Sequence, residues 1–303
     1  MSAEPDAYSY TRYLEAKRSV DERALHPRVW ERFIKGLEER STLRIFEMGG
    51  GVGSTALRII DALQTRSVET IEYEMMDLRP GNIDAARQRL PDWGRENGFD
   101  VYGANDRVVL HGSELDVSIL LRVGDALAED HKPTQAYDAI VAQAVLDIVP
   151  VASTLSRFAA WSNEGALWYF PIHFDGVTAF EPVLDSVLDA KIERLYHESM
   201  NDGEGGGAQT GRHLLQHIKD AGARLVDAGG SDWIVSSGPN KEGYPHKEKY
   251  FLYHILSFIN KEVKGRPEIQ SSRFEEWLSA RKEQIRHGEL TFLAHNIDVL
   301  GAR

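Results

Sequence analysis

The chain has 303 residues, 42% of them hydrophobic, with Lys+Arg 35 against Asp+Glu 47 for a formal net charge of −12. That is ample material for a core, and a charge balance opposed to the basic stripe that a nucleic-acid partner needs. The absence of cysteine excludes disulfides, a thiolate nucleophile and Cys-based metal sites, and fits a cytoplasmic protein. No apolar run reaches the ~18 residues of a membrane span, and the polar, acid-bearing first 25 residues are unlike a signal or transit peptide.

Tyr13, Leu14, Val20, Leu25, Val29, Trp30, Phe33 and Leu37 recur mostly at three- and four-residue spacing, which predicts one or two helices over 8–40. Leu43–Glu47 reads as a short strand running into glycines, and Ser54–Leu63 as a helix. Val68–Met75 reads as a second strand, followed by a helix over Asn82–Leu90 and a polar loop over 91–105. Val108–Leu110 and Leu115–Val123 both qualify as the third strand, the latter ending in Gly124-Asp125. Tyr137–Val145, Thr154–Trp161 and Gly165–Phe174 continue as strand, helix and strand. This alternation predicts an α/β fold with a doubly wound, mostly parallel sheet.

Beyond Asp175 the pattern loosens. A helix is predicted over Pro182–Tyr196, a mobile Gly-rich lid over Asn201–Gly211, a helix over Arg212–Ala221 and a strand over Ala223–Ser236. Two charged helices, near 247–263 and 271–287, precede a last strand over Leu290–Leu300. There is no internal repeat, and the expected organisation is one domain, 1–303. It comprises a helical cap (1–40), a cofactor-binding core (41–175), an insertion and substrate side (176–235), and C-terminal helices with the last strand (236–303).

The segment Ile45-Phe46-Glu47-Met48-Gly49-Gly50-Gly51-Val52-Gly53 lies at a strand-to-helix turn. Glycines there admit backbone angles closed to other residues and let a ligand approach the main chain, at a helix start with free N–H groups. Gly51, Gly53 and Ala56 satisfy G-x-G-x-x-A, as in a dinucleotide-binding domain. Glu47, Gly49, Gly51 and Gly53 instead satisfy acidic-x-G-x-G-x-G. Asp77 follows the second strand, Val123-Gly124-Asp125-Ala126 a candidate third, Tyr137-Asp138 opens the fourth, and Asn163-Glu164-Gly165 leads into the fifth.

In this order these landmarks resemble those of the class I S-adenosylmethionine-dependent methyltransferases, over about 40–175 and more loosely over 210–236 and 290–301. The resemblance implies a seven-stranded Rossmann-like fold and S-adenosyl-L-methionine as cofactor. It implies that Glu47, Gly49, Gly51 and Gly53 form the cofactor loop, that Asp77 meets the ribose hydroxyls and that Asp125 faces the adenine amino group. Tyr13-Leu14, Lys17, Val20-Asp21, Arg23, Leu146-Asp147, Phe174-Asp175-Gly176, Tyr196-His197 and Ser231-Asp232-Trp233 further resemble a bacterial subgroup of that family.

In such a fold the acceptor lies over the carboxyl ends of the strands, so Gln143 and Asp147 at the fourth strand and His173 and Asp175 at the fifth point toward the chemistry. His173 is a candidate general base, or a histidine satisfied at a strand end. Tyr196 and His197 are candidates for a phenol or imidazole in the acceptor pocket, or for core packing. Asp232 and Trp233 are candidate substrate contacts, and Arg212 a partner for a substrate carboxylate or for Asp232. Tyr13, Lys17 and Arg23 are candidates to close over the cofactor. His213 and His217 lie four apart without a third ligand, so no catalytic metal is expected. The expected activity is methyl transfer to an O, N or C atom of a small molecule by a monomer or homodimer, without a nucleic-acid or membrane partner. An NAD-dependent oxidoreductase and a non-catalytic S-adenosylmethionine-binding regulatory protein are the alternatives.

Overall fold

Two helices precede the sheet in the computed structural model, which describes residues 4–5, 7–104, 106–129, 131–238 and 243–303. Residues 1–3 and 6 of the expected cap, 105 of the expected loop, and 130 and 239–242 lie outside the described residues. Helix α1 (Tyr10–Ala24) starts where the Ser9 side chain accepts the Arg12 N–H. Helix α2 (Pro27–Leu37) starts on a proline, whose missing donor costs nothing in a first turn. Val29, Phe33, Ile34 and Leu37 fall on one face of α2 and are buried with Leu43 and Ile59.

The strands are β1 (Thr42–Met48), β2 (Thr70–Asp77), β3 (Asp100–Ala104), β4 (Arg107–His111), β5 (Asp116–Val123), β6 (Tyr137–Val141), β7 (Ser162–Glu181), β8 (Arg224–Gly230), β9 (Trp233–Val235) and β10 (Thr291–Ala302). Among the described residues they run β3-β4-β5-β2-β1-β6-β7-β10-β8 across one sheet, with β9 also pairing β10. β5, β2, β1, β6 and β7 are parallel. β10 lies antiparallel between β7 and β8. A dinucleotide-binding sheet has order 3-2-1-4-5-6; here an antiparallel strand is wedged before the edge. Strand order reverses at β1, whose neighbours β2 and β6 diverge, and the crevice at their carboxyl ends is where such sheets hold ligands.

Helices α3 (Ser54–Leu63), α4 (Pro80–Glu96), α5 (Val151–Trp161), α6 (Ser186–Met200), α7 (Thr210–Asp220), α8 (Glu248–Val263) and α9 (Ser271–His287) complete the chain. Ile60 and Leu90 pack with Ile45, Tyr73 and Ile119 in one core cluster. Leu155, Phe158, Leu214 and Ile218 pack with Phe46, Ile140 and Phe170 in another. A third cluster joins α1, α6, α8 and α9 through Val20, Leu195, Phe251, Ile255 and Trp277 to Val235 and Phe292. None of the helices is long and apolar enough to cross a membrane among the described residues.

Three elements differ from expectation. The polar loop over 91–105 is instead the end of α4 and strand β3. Pro91 sits inside the helix, where tertiary packing outweighs its helix-breaking tendency. A Cβ on Gly94 would fall 2.7 Å from Leu110, and Trp93 and Phe99 rings lie 5.9 Å apart. The strand expected over Ala223–Ser236 is broken into β8 and β9, which pair β10 on either side of its bulge at His295. β7 runs for 20 residues rather than ending at Phe174. It pairs β6 only as far as Tyr169, then continues beside β10 to Glu181, forming an arm beyond the sheet. Leu115–Val123, not Val108–Leu110, supplies the parallel partner of β2, because β4 pairs antiparallel in the added β3–β4 hairpin.

Candidate functional site

The turn after β1 is built on Gly49, Gly51 and Gly53, at φ 71°, 55° and 77°. These left-handed angles are closed to most side chains. Space is closed as well: a Cβ on Gly49 would sit 2.9 Å from Val145, and one on Gly51 3.1 Å from Leu14 of α1. Asp77, at the end of β2, ties the turn down. Its Oδ2 accepts the Gly51 N–H at 2.9 Å, and its Oδ1 accepts the Arg79 N–H at 2.8 Å and the Asn82 side-chain amide at 3.0 Å. A carboxylate offers about four acceptor positions. These donors leave one, on a residue that lines the cavity. α3 starts at Gly53 with no side-chain cap, and its first residues Ser54 and Thr55 also line the cavity. The unpaired N–H groups and positive end of the helix therefore face the space a ligand would enter.

Glu47 lies beneath this turn rather than in the cavity wall. It is buried, its Oε2 accepts the Tyr73 hydroxyl at 2.8 Å, and burial pushes its carboxyl up to about 7. The side chain supports the turn from below. Met75 occupies the room beneath Gly50, where a Cβ would collide with it.

The cavity over the strand ends has a volume of ≈ 490 Å³, within the usual range for small-molecule sites. Helix α1 forms one wall. Lys17 Nζ is 2.6 Å from Asp21 Oδ2, with both side chains nearly buried, and lies 4.8 Å over the Trp233 ring. Asp21 also accepts the Trp233 indole N–H at 3.0 Å and the Gln143 amide at 2.8 Å, and Gln143 accepts the Thr55 hydroxyl at 3.0 Å. One carboxylate thus joins the cap, the β6 exit and β9. Tyr13 stacks on Phe251 and His254 and also lines the cavity.

The opposite wall is the β6 exit. Ala144 and Ile172 both line the cavity with positive φ, 50° and 58°; for the β-branched Ile172 this is strained backbone. The strain is held by Asp298, which is fully buried and whose Oδ1 accepts the Ile172 N–H at 2.8 Å. The bend turns His173 into the core. Its Nδ1 faces the Phe170 carbonyl at 3.2 Å and its Nε2 accepts the Leu146 N–H at 3.2 Å. Both ring nitrogens are committed in the neutral form, and burial pulls its pKa down to about 3. The expectation that His173 serves as a general base facing the cavity is therefore corrected: it clamps the β6 exit loop to β7. That loop presents Asp147 to the cavity, with Oδ1 buried and without a hydrogen-bond partner. Burial pushes Asp147 up to about 7, against the lowering effects of the Phe174 N–H, the Thr210 hydroxyl and the Lys17 ammonium.

Of the other expected residues, Tyr196 and Trp233 line the cavity. Burial raises the Tyr196 phenol above its ordinary range, so it stays protonated. His197 sits behind the wall, with Nε2 3.0 Å from the Thr178 hydroxyl. Arg212 is spent on Asp175, meeting it through Nε at 2.7 Å and Nη2 at 3.0 Å, outside the cavity. Asp232 is exposed and lies 2.6 Å from His295 Nδ1, so it is not the partner of Arg212. Arg23 forks onto Glu248 of α8 and stays outside the cavity. Asp125 does follow the strand beside β2, but it is exposed and caps the Leu127 N–H at 2.8 Å. The glycine-rich segment folds back: a Cβ on Gly205 would collide with the Asp147 carbonyl, and Gly207 lines the cavity. Asp21 and Asn82 join the site as residues to which sequence reading assigned no role; an acid at helical spacing from Lys17 and an amide one turn past Asp77 were the available signals. Phe258 and Phe292 carried no such signal, because distant chain segments bring them in.

No family model matches the sequence, and a search of curated proteins returns no match. Solved structures do resemble the chain in overall course. A SAM-dependent methyltransferase from Thiobacillus denitrificans in complex with S-adenosyl-L-homocysteine shares 14% identity, covering 96% of this chain and 98% of that one, at a TM-score of 0.46. A geranyl diphosphate methyltransferase in complex with SAM shares 11%, covering 99% and 93%, at 0.45. The [4+2]-cyclase SpnF shares 14%, covering 97% and 94%, at 0.44. The fold is Rossmann-like, with the sheet order of the methyltransferase type.

Proposed function

We propose that the cavity binds S-adenosyl-L-methionine and that the chain transfers its methyl group to a small-molecule acceptor. The observation that supports this most is the closed turn of Gly49, Gly51 and Gly53, fastened by the Asp77 carboxylate beside an uncapped helix start. The donor set suits this ligand. Asp77 keeps an acceptor position for a ribose hydroxyl, and the α3 N–H groups suit an amino-acid carboxylate. Leu78, exposed at the rim of the cavity, offers an apolar face for a planar base.

When bound, the cofactor supplies an electrophilic methyl group on a sulfonium. The protein's part is to hold the acceptor in line with that group and exclude water. Tyr13, Lys17 and Asp21 of α1 wall the cleft from the cap side, with Trp233 locked to Asp21 as a rigid surface. Gln143, held by Asp21 and Thr55, sits between the glycine turn and the acceptor space.

Calorimetric titration of the purified protein with S-adenosylmethionine and with NAD tests this reading. The expected result is binding of the methyl donor and none of NAD. Tight NAD binding without donor binding would replace it with the oxidoreductase reading, and donor binding without turnover on any acceptor with a regulatory one.

A further inference from the structure

The half of the cavity away from the glycine turn is walled by Tyr13, Phe174, Tyr196, Trp233, Phe258 and Phe292. Its polar side chains are few and neutral: the Tyr13 and Tyr196 phenols, Thr178 and Asn296. Thr178 is bonded to His197, and the Asn296 amide to the carbonyls of Ser231 and Ala294. Of the lining cations, Lys17 lies against Asp21, and Arg79 covers the Tyr10 ring at 4.3 Å on the donor side. Arg212, the cation expected to receive a substrate carboxylate, is bound to Asp175 elsewhere. An anionic or many-hydroxylled acceptor would lose more hydration here than two phenols can replace. Among the described residues lining the cavity, Asp147 Oδ1 is the buried side-chain polar atom left without a partner.

Resting on the methyl-donor reading, we propose that the acceptor is a largely apolar, ring-bearing small molecule whose O–H or N–H group docks on Asp147, which takes up its proton during methyl transfer. The acceptor oxygen or nitrogen bonds to the methyl carbon as the C–S bond breaks, its electron pair passing to sulfur and cancelling the sulfonium charge. The acceptor proton moves to Asp147 Oδ1 and from there to solvent, so atoms and charge balance. The titratable and charged groups around Asp147 are Lys17 and Asp21 from α1, His173 from β7 and Tyr196 from α6. His173 is held neutral and Tyr196 protonated, while Lys17 is countered by Asp21. A carboxyl poised near 7 is matched to accepting a proton at neutral pH.

The test uses the full chain with S-adenosylhomocysteine bound, which cannot react. 2-Naphthol and glycine are titrated in by calorimetry at about pH 6 and about pH 8, for the wild type and Asp147→Asn. 2-Naphthol should bind at least ~10-fold more tightly than glycine, because aromatic surface and not charge receives it. Its affinity should rise about 10-fold across this pH range as Asp147 ionises, and be flat in Asp147→Asn, with S-adenosylhomocysteine affinity equal in both proteins. Glycine binding as tightly, or a pH response persisting in Asp147→Asn, would overturn the inference alone. Failure of the wild type to bind S-adenosylhomocysteine would overturn the donor-site reading and this inference with it.

Discussion

The buried histidine gives the sharpest prediction about stability. His173 has an ordinary pKa of 6.5 and is pulled down to about 3 in the folded chain. The unfolded chain therefore binds the extra proton first. This contribution is complete above 6.5 and is lost progressively as pH falls toward 3. Between about pH 8 and about pH 5 the loss amounts to about 2 kcal/mol. Glu47 works in the opposite direction. Its pKa is raised from 4.5 to about 7, so its stabilising protonated form is lost as pH rises through that window. Over the same interval this returns about 2.5 kcal/mol on acidification. Asp147, raised from 3.8 to about 7, acts in the same direction as Glu47 and returns about 2.6 kcal/mol more, so the wild-type profile hides the His173 contribution and a substitution must isolate it. His173→Gln can still accept the Leu146 N–H and donate to the Phe170 carbonyl, but it does not titrate. Urea unfolding followed by tryptophan fluorescence should show the variant gaining about 2 kcal/mol relative to wild type between about pH 8 and about pH 5. An identical difference at both pH values would mean that His173 is accessible to protons, and the clamp would be wrong.

Asp298→Ala removes the acceptor of the buried Ile172 N–H and of the His26 N–H, and should lower unfolding stability by about 3 kcal/mol in the same assay. Gly51→Val places a β-branched residue at φ 55° and against Leu14; equilibrium dialysis should show donor affinity falling at least ~10-fold. Arg212→Ala breaks an ion pair outside the cavity, so titration calorimetry should find donor affinity unchanged; a marked loss would return Arg212 to the site.

Much of the core was legible because its signals are local. Ser54–Leu63 is the helix the sequence predicts, preceded directly by the glycine turn, and Asp77 stands at the end of β2, next to Met76. The candidate acceptor side was less legible, for reasons visible in particular residues. His173 reads equally as a base or as a histidine satisfied at a strand end, and the positive φ of Ile172, which buries it, makes it the second. Arg212 and Arg23 read as free cations because their partners, Asp175 and Glu248, lie 37 and 225 residues away. The aromatic wall joins α1, α6, α8 and β10, and no local pattern links Tyr13 to Phe292. Asp147 lines the cavity at the β6 exit, but its chemical interest, an orphaned oxygen in an apolar setting, exists only once those elements meet.

The central claim is that Asp77 and the glycine turn hold the methyl donor. Titration calorimetry with S-adenosylmethionine on the wild type and Asp77→Asn tests it most directly. Loss of the charge-assisted bond to a ribose hydroxyl should weaken binding by about 1–3 kcal/mol, with circular dichroism showing the fold retained. Equal affinity in the two proteins would contradict the assignment.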